Sequence, residues 1–258
     1  MQRVTVPAPS QTEEPSGFKF FHQLNAVQDL SWANSSTYIT RGMAERYFDS
    51  DRLGDKLVRA LAIDEVIPVK EILESCEFFE RVRKEIRAET IADLCCGHGL
   101  LGILFAVFER RTKHVILIDT TEPPCHNKLL KQVAQIAPWI QDNVQFKMGP
   151  IDSVQQIPHK NTSIVSSHAC GMLTDECIEA AVSINGSVAV MPCCYPRNQC
   201  PAPRALQFAL GHEVAFDVDR TYRLENANYH VRWTSIPKQI TPMNRIIIGR
   251  VRSKVRGH

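Results

Sequence analysis

From Val69 the apolar residues Val69, Ile72, Leu73, Cys76, Phe79, Val82 and Ile86 recur at steps of three and four. That is the period of one face of an α-helix, so the spacing predicts a helix there. Upstream, Leu53, Leu57, Val58, Leu61 and Ala62 follow Ser50 and Asp51, either of which can accept the free amide hydrogens of a first helical turn. Residues 18–88 therefore read as a helical unit. After Thr90 the pattern changes to short continuous apolar runs at Ile91–Cys96, Val115–Asp119, Val144–Met148, Ser163–His168 and Ser187–Cys193. Helix-like stretches at 100–109, 127–136, 173–182 and 203–210 separate them. Strands buried on both faces read this way, and the alternation predicts a doubly wound α/β fold with a mostly parallel sheet. The last segments, Val214–Leu224, Tyr229–Trp233 and Arg245–Val251, have no helical pattern between the final two, which predicts an antiparallel hairpin at the sheet edge.

The expected organisation is a flexible lead-in at 1–17, where three prolines interrupt a polar stretch, a helical cap at 18–88 and a Rossmann-like domain at 89–258. Among the cap residues, Trp32, Tyr38, Arg41, Tyr47 and Phe48 are candidates for a lid, or for packing beside the sheet. The chain has 258 residues, 44% of them hydrophobic, enough for one large core. Its charge of +2 is nearly balanced, which argues against a protein that works chiefly by neutralising many phosphates. The richest apolar stretch, Gly99–Phe108, stops at Glu109-Arg110-Arg111, well short of the roughly 20 residues a membrane span needs. Nine cysteines, an odd number, and a beginning without a signal-peptide pattern predict a reducing, cytoplasmic setting.

The sharpest chemistry lies in Ile91-Ala92-Asp93-Leu94-Cys95-Cys96-Gly97-His98-Gly99-Leu100-Leu101-Gly102, a strand running through a glycine turn into an apolar helix. Such a turn brings backbone N–H groups and a helix N-terminus against a nucleotide-like cofactor. By itself Gly97-His98-Gly99-Leu100-Leu101-Gly102 satisfies G-x-G-x-x-G, which also admits NAD or FAD. Asp93 separates the two readings: its carboxylate would repel a pyrophosphate yet attract, directly or through water, the charged methionyl end of S-adenosylmethionine; the alternative is that Asp93 caps the next helix and the glycines pack helix on strand. Asp119 closes the next strand, where a carboxylate can hold both ribose hydroxyls of either cofactor.

Residues 91–102 resemble motif I of class I S-adenosylmethionine-dependent methyltransferases, with Cys95 where the first glycine usually stands. A cysteine is tolerated there if the backbone does not need a positive φ. The resemblance spans residues 90–251. It implies that Asp93, Cys95, Gly97 and Gly99 cradle the methionine and ribose side, that Asp119 holds the ribose, and that Asp152 contacts the adenine amino group. A narrower pattern, His168-Ala169-Cys170-Gly171 with Thr174-Asp175, then Pro192-Cys193-Cys194-Tyr195, is similar to a subgroup that includes tRNA acceptor-stem 2'-O-methyltransferases and related methyltransferase-like proteins. Those tRNA enzymes carry N-terminal zinc-binding modules, whereas here only Cys76 precedes Cys95. The acceptor is left between RNA and a small molecule.

Ligands of doubly wound sheets sit beyond the carboxyl ends of the strands, so Cys95, Cys96, His98, His168, Cys170, Cys193, Cys194 and Tyr195 are expected to converge. His168, Cys170 and Tyr195 are the candidates beside the transferred methyl group, with His168 as base or positioning group. Asp175 reads as a helix cap. No metal is expected: there is no C-x-x-C, and adjacent cysteines on a strand would point to opposite faces. The basic alternation Arg250, Arg252, Lys254, Arg256 suits a solvated tail or a phosphate track. The competing functions are an NAD-dependent oxidoreductase using the glycine turn and a non-catalytic methyltransferase-like interaction protein.

Overall fold

The computed structural model describes residues 17–158 and 160–252. Residues 1–16, most of the expected lead-in, and 253–256 of the basic tail lie outside the described residues. Among the described residues two 3-10 turns, His22–Ala26 and Ser31–Asn34, come first, followed by three α-helices: α1 (Arg41–Tyr47), α2 (Leu53–Ile63) and α3 (Val69–Val82). The apolar stripe of α3 is buried throughout; the helix stops at Val82, and Ile86 is buried in the turn beyond it. Ser50 and Asp51 do not cap α2, whose N-cap position is Arg52. Instead the Ser50 hydroxyl donates to Asp55 at 2.6 Å, tying the approach of the chain to the first turn.

The sheet then builds from β1 (Thr90–Leu94), β2 (His114–Asp119), β3 (Val144–Met148), β4 (Thr162–Ser166), β5 (Ser187–Val190), β6 (Tyr229–Ser235) and β7 (Arg245–Val251). Their spatial order is β3-β2-β1-β4-β5-β7-β6. The first five pair in parallel, and β7 runs antiparallel to both β5 and β6. The expected doubly wound sheet with an antiparallel C-terminal hairpin is what the chain forms. Helices α4 (Leu100–Phe108), α5 (Cys125–Ile136), α6 (Leu173–Ser183), α7 (Arg204–Leu210) and α8 (His212–Asn226) connect the strands. Val214–Leu224 lies within α8, whose buried residues Phe216, Arg220 and Leu224 recur at helical spacing.

Side chains alternate between two cores. Ile91 joins one with α3, α4 and the N-terminal helices, while Ala92 and Leu94 join another with α6 and Leu224. Trp32 stacks on Tyr47 at 4.6 Å, Phe48 packs edge-on against Phe21, and Tyr38 is half exposed. Among the described residues no helix is long and apolar enough to cross a membrane.

Candidate functional site

The strand order reverses between β1 and β4, which opens a crevice at their carboxyl ends. A cavity of about 390 Å³ lies there, lined among others by Cys95, Gly97, Ile118, Asp119, Ile151 and His168. β1 stops at Leu94, and the chain turns at once through Cys95 with φ +53°. The condition under which a cysteine is readily tolerated here is therefore not met: Cys95 holds the left-handed conformation that glycine adopts at lower cost. The turn returns the Cys96 N–H to Ile118 O and the Gly97 N–H to Asp119 Oδ2, 2.9 Å away. Gly97, at φ +53°, has open space where a Cβ would stand. At Gly99, with φ +84°, a Cβ would lie 2.6 Å from Leu117, so close packing of helix on strand demands glycine there.

Asp119 lines the cavity. Besides Gly97 it accepts the Thr120 N–H at 2.7 Å and the Thr120 hydroxyl at 3.3 Å, both on Oδ1, leaving a lone pair on Oδ2. Asp93 is placed differently from the expectation of a carboxylate open to the methionyl end. It is buried beneath the turn and accepts the Gly102 N–H of α4 at 2.9 Å. Burial pushes its carboxyl up to about 7, opposed by the Gly102 bond and reinforced by the charge of Asp119. Asp152 sits on the 3-10 turn Ile151–Gln156, exposed, beside the cavity wall formed by Gly149, Pro150 and Ile151.

A second cavity, of about 380 Å³, lies on the other side of His168, lined by Lys70, Glu71, Glu74, Met191, Cys193 and Thr241 among others. His168 borders both cavities. Its Nε2 is buried without a hydrogen-bond partner. Burial, then the neighbouring His98, pull the His168 pKa down to about 4, so the ring is uncharged at neutral pH. The two rings meet edge-on, with centroids 6.5 Å apart. His98 Nδ1 accepts the Leu100 N–H at 3.0 Å, which puts the proton of the neutral ring on Nε2. That atom lies 3.0 Å from Glu71 Oε2, at ion-pair distance though without the alignment of a hydrogen bond. The contact with His98 holds the Glu71 carboxyl below its ordinary value, while burial raises Glu74 to about 7. Lys70, Glu71 and Glu74 come from the cap helix α3 and were not singled out in the sequence. Their signal was there: charged residues interleaved with the apolar stripe of a helix preceding the sheet.

The expected convergence holds for only part of the cysteine set. Cys96 is buried, and its thiol lies 3.7 Å from Gly97 O. Cys95 and Cys170 reach the first cavity and Cys193 the second. Tyr195 turns away from both. Its hydroxyl donates to Asp217 at 2.7 Å, within a buried network in which Arg220 bridges Asp175 (2.7 Å) and Asp217 (3.1 Å) and Arg245 also donates to Asp217 (2.9 Å). Burial, then the charge of Asp217, raise the Tyr195 phenol well above its usual range. Asp175 is thus an ion-pair partner of Arg220, and α6 has no side-chain cap. The argument against clustered cysteines also needs correction. β5 ends at Val190, so Cys193 and Cys194 are loop residues to which strand alternation does not apply. With Cys170 they form a group whose three sulfur atoms all lie within 4.8 Å of one another.

A family model described as a methyltransferase domain matches residues 68–199, half of the chain. A glutathione S-transferase C-terminal domain-containing protein of Xenopus laevis is 25% identical over 200 residues, covering 62% of this chain and 31% of that protein. The chain thus spans about a third of the length of this curated relative. Among solved structures, a Corynebacterium glutamicum protein aligns at TM-score 0.50 and 12% identity over 84% of this chain and 97% of its own, a likeness of fold. The Bacillus subtilis m1A22 tRNA methyltransferase TrmK aligns at TM-score 0.46 and 12% identity over 69% and 66%.

Proposed function

The chain belongs to the methyltransferase domain family, and from that premise we propose that it transfers a methyl group from S-adenosylmethionine to a nucleophile held in the cavity beside α3. The observation that carries the proposal is that His168 borders both cavities, so a donor over the glycine turn and an acceptor over Glu71 would meet at one side chain.

The residues of the first cavity suit this cofactor better than a dinucleotide. Gly97 leaves open space and a turned backbone for close approach, and Asp119 offers acceptors suited to ribose hydroxyls. Ile118 and Ile151 supply apolar walls, with Asp152 next in the chain for an adenine amino group. Asp119 presents a carboxylate to the cavity, which favours a cationic sulfonium and ammonium over a pyrophosphate. Cys95, at the lip of the cavity, and Asp93 beneath it shape the turn around the methionyl end. When bound, the cofactor would supply a methyl group already activated for in-line displacement.

What remains for the protein is alignment. With a pKa of about 4, His168 is too weak a base to remove a proton ahead of transfer at neutral pH; bordering both cavities, the uncharged ring instead positions the acceptor against the donor. Glu71 and Glu74 extend the acceptor-side wall. Lys70 lies in the same wall, 3.7 Å from Glu74, so the carboxyl groups are partly balanced and the wall suits an acceptor that donates hydrogen bonds. Cys170 flanks the site from the opposite loop. Tyr195 acts through Asp217 on the loop's shape, as a positioning residue rather than beside the methyl group.

The test is transfer of labelled methyl from S-adenosylmethionine into fractionated RNA and metabolite pools, with wild-type chain and His168→Ala. Label in one pool, lost or strongly reduced in the variant while cofactor binding persists, is the expected result. Cofactor binding with no transfer into any pool would favour the non-catalytic interaction protein.

A further inference from the structure

Strands β4 and β5 are parallel neighbours in register, Ser166 opposite Val190. Their carboxyl-end loops therefore leave the sheet side by side, joined by the Met191 N–H donating to Ser166 O at 3.0 Å. One loop carries Cys170 and the other Cys193 and Cys194. Cys170 Sγ and Cys193 Sγ are 2.9 Å apart, and Cys194 Sγ accepts the Gly171 N–H at 2.8 Å. A backbone N–H aimed at sulfur stabilises a thiolate more than a thiol, as outer partners of metal-bound cysteines do.

The buried ion network holds both loops in this arrangement. Arg220 donates to Gly171 O at 3.4 Å on the first loop, and Asp217, bound to the same arginine, accepts the Tyr195 hydroxyl of the second. Cys170 is exposed and the other two are half-buried, so an ion can enter from solvent.

We propose that Cys170, Cys193 and Cys194 bind one zinc ion as three thiolates, with a fourth coordination position open at the junction of the two cavities. Sulfur is the preferred donor of zinc among the side chains present. Zinc–sulfur bonds of about 2.3 Å place tetrahedral thiolates about 3.8 Å apart, so the three sulfurs reach this geometry with shifts of an ångström or so at the close pair. Three S–H bonds are lost to solvent protons as three zinc–sulfur bonds form; no oxidant or reductant takes part. The group contains no fourth Cys, His or carboxylate among the described residues, which leaves water or an acceptor heteroatom as the remaining ligand. Cys170 lines the first cavity and Cys193 the second, so that position faces the space where donor and acceptor meet. Metal binding here stands on the thiol geometry alone and does not depend on the cofactor assignment.

The test uses the whole chain purified without chelators under reducing conditions, given zinc and desalted. Elemental analysis should find about one zinc per chain, and cobalt in its place should show thiolate-to-cobalt charge-transfer absorption. Cys193→Ser and, separately, Cys170→Ser should lose the metal, while Cys200→Ser, outside the group, should retain it; circular dichroism identifies any variant that fails to fold. The exposed position of Cys170 makes its serine variant the safer fold. Less than about a tenth of a zinc per folded wild-type chain, equal zinc in a folded Cys170→Ser chain, or a Cys170–Cys193 disulfide in place of bound metal would overturn the proposal.

Discussion

Asp119 Oδ2 accepts the Gly97 N–H at 2.9 Å, so the carboxylate that closes β2 also fixes the turn that leaves β1. One side chain thereby sets the floor of the cavity and presents acceptors to whatever lies above it. Replacing Asp119 with Ala should weaken S-adenosylhomocysteine binding by about 1–3 kcal/mol, the value of charged hydrogen bonds removed from a partly buried site. Titration calorimetry on the folded variant reads this directly; wild-type affinity would remove Asp119 from the ribose role.

His168 predicts an unusual pH profile. Because its pKa is depressed to about 4 from 6.5, turnover should stay level through pH 6.5 and fall only toward pH 4. The same shift has a sign for stability: uncharged in the fold, the ring contributes above pH 6.5, and that contribution is lost as pH falls toward 4. His168→Gln should flatten both dependences. An acid limb centred near 6.5 would show that the ring titrates freely and would contradict its burial.

Asp93 works in the opposite direction. Its carboxyl keeps a proton up to about pH 7 in the fold but ionises near 3.8 when exposed. The stability it contributes is present below pH 3.8 and is lost as pH rises toward 7. Asp93→Asn, which still offers an oxygen to the Gly102 N–H, should therefore gain on the wild type across that window in urea unfolding. Parallel curves for the two proteins would contradict the burial of the group.

Tyr195→Phe removes one donor from Asp217, which keeps Arg220 and Arg245. The cost should be about 1 kcal/mol, a fall of a few degrees in Tm, with kcat affected less than KM. A kcat loss of several orders of magnitude at unchanged stability would return Tyr195 to the reacting centre.

Much of this architecture was legible because it rests on periodicity. The stripe from Val69 to Val82 and the apolar runs of β1, β4 and β5 bury in the manner their spacing implies, whereas β3, at the sheet edge, buries none of its residues fully; Gly97 and Gly99 stand where the backbone turns left-handed. What was not legible depends on partners distant in sequence. The residues around Asp93 admitted both a ligand carboxylate and a cap of the following helix, and its bond to the Gly102 N–H in the first turn of α4 is the second arrangement. Tyr195 was read beside the cysteines it follows, yet Asp217, Arg220 and Arg245 draw it away. The end of β5 at Val190 turned Cys193 and Cys194 from strand residues into loop residues and so brought three thiols together. Glu71 and Glu74 joined the site only because α3 packs on α4 and brings its first turns beside His98 and the loops after β4 and β5.

The cofactor assignment is tested most directly by thermal unfolding of the chain with S-adenosylmethionine, S-adenosylhomocysteine or NAD against no ligand. At about 100 times its dissociation constant a ligand stabilises by roughly 2.7 kcal/mol, several degrees for a chain of this size. The predicted result is a shift with the two sulfur nucleotides, none with NAD, and loss of the shift in Asp119→Ala. A shift with NAD alone would contradict the account and make the glycine turn a pyrophosphate site.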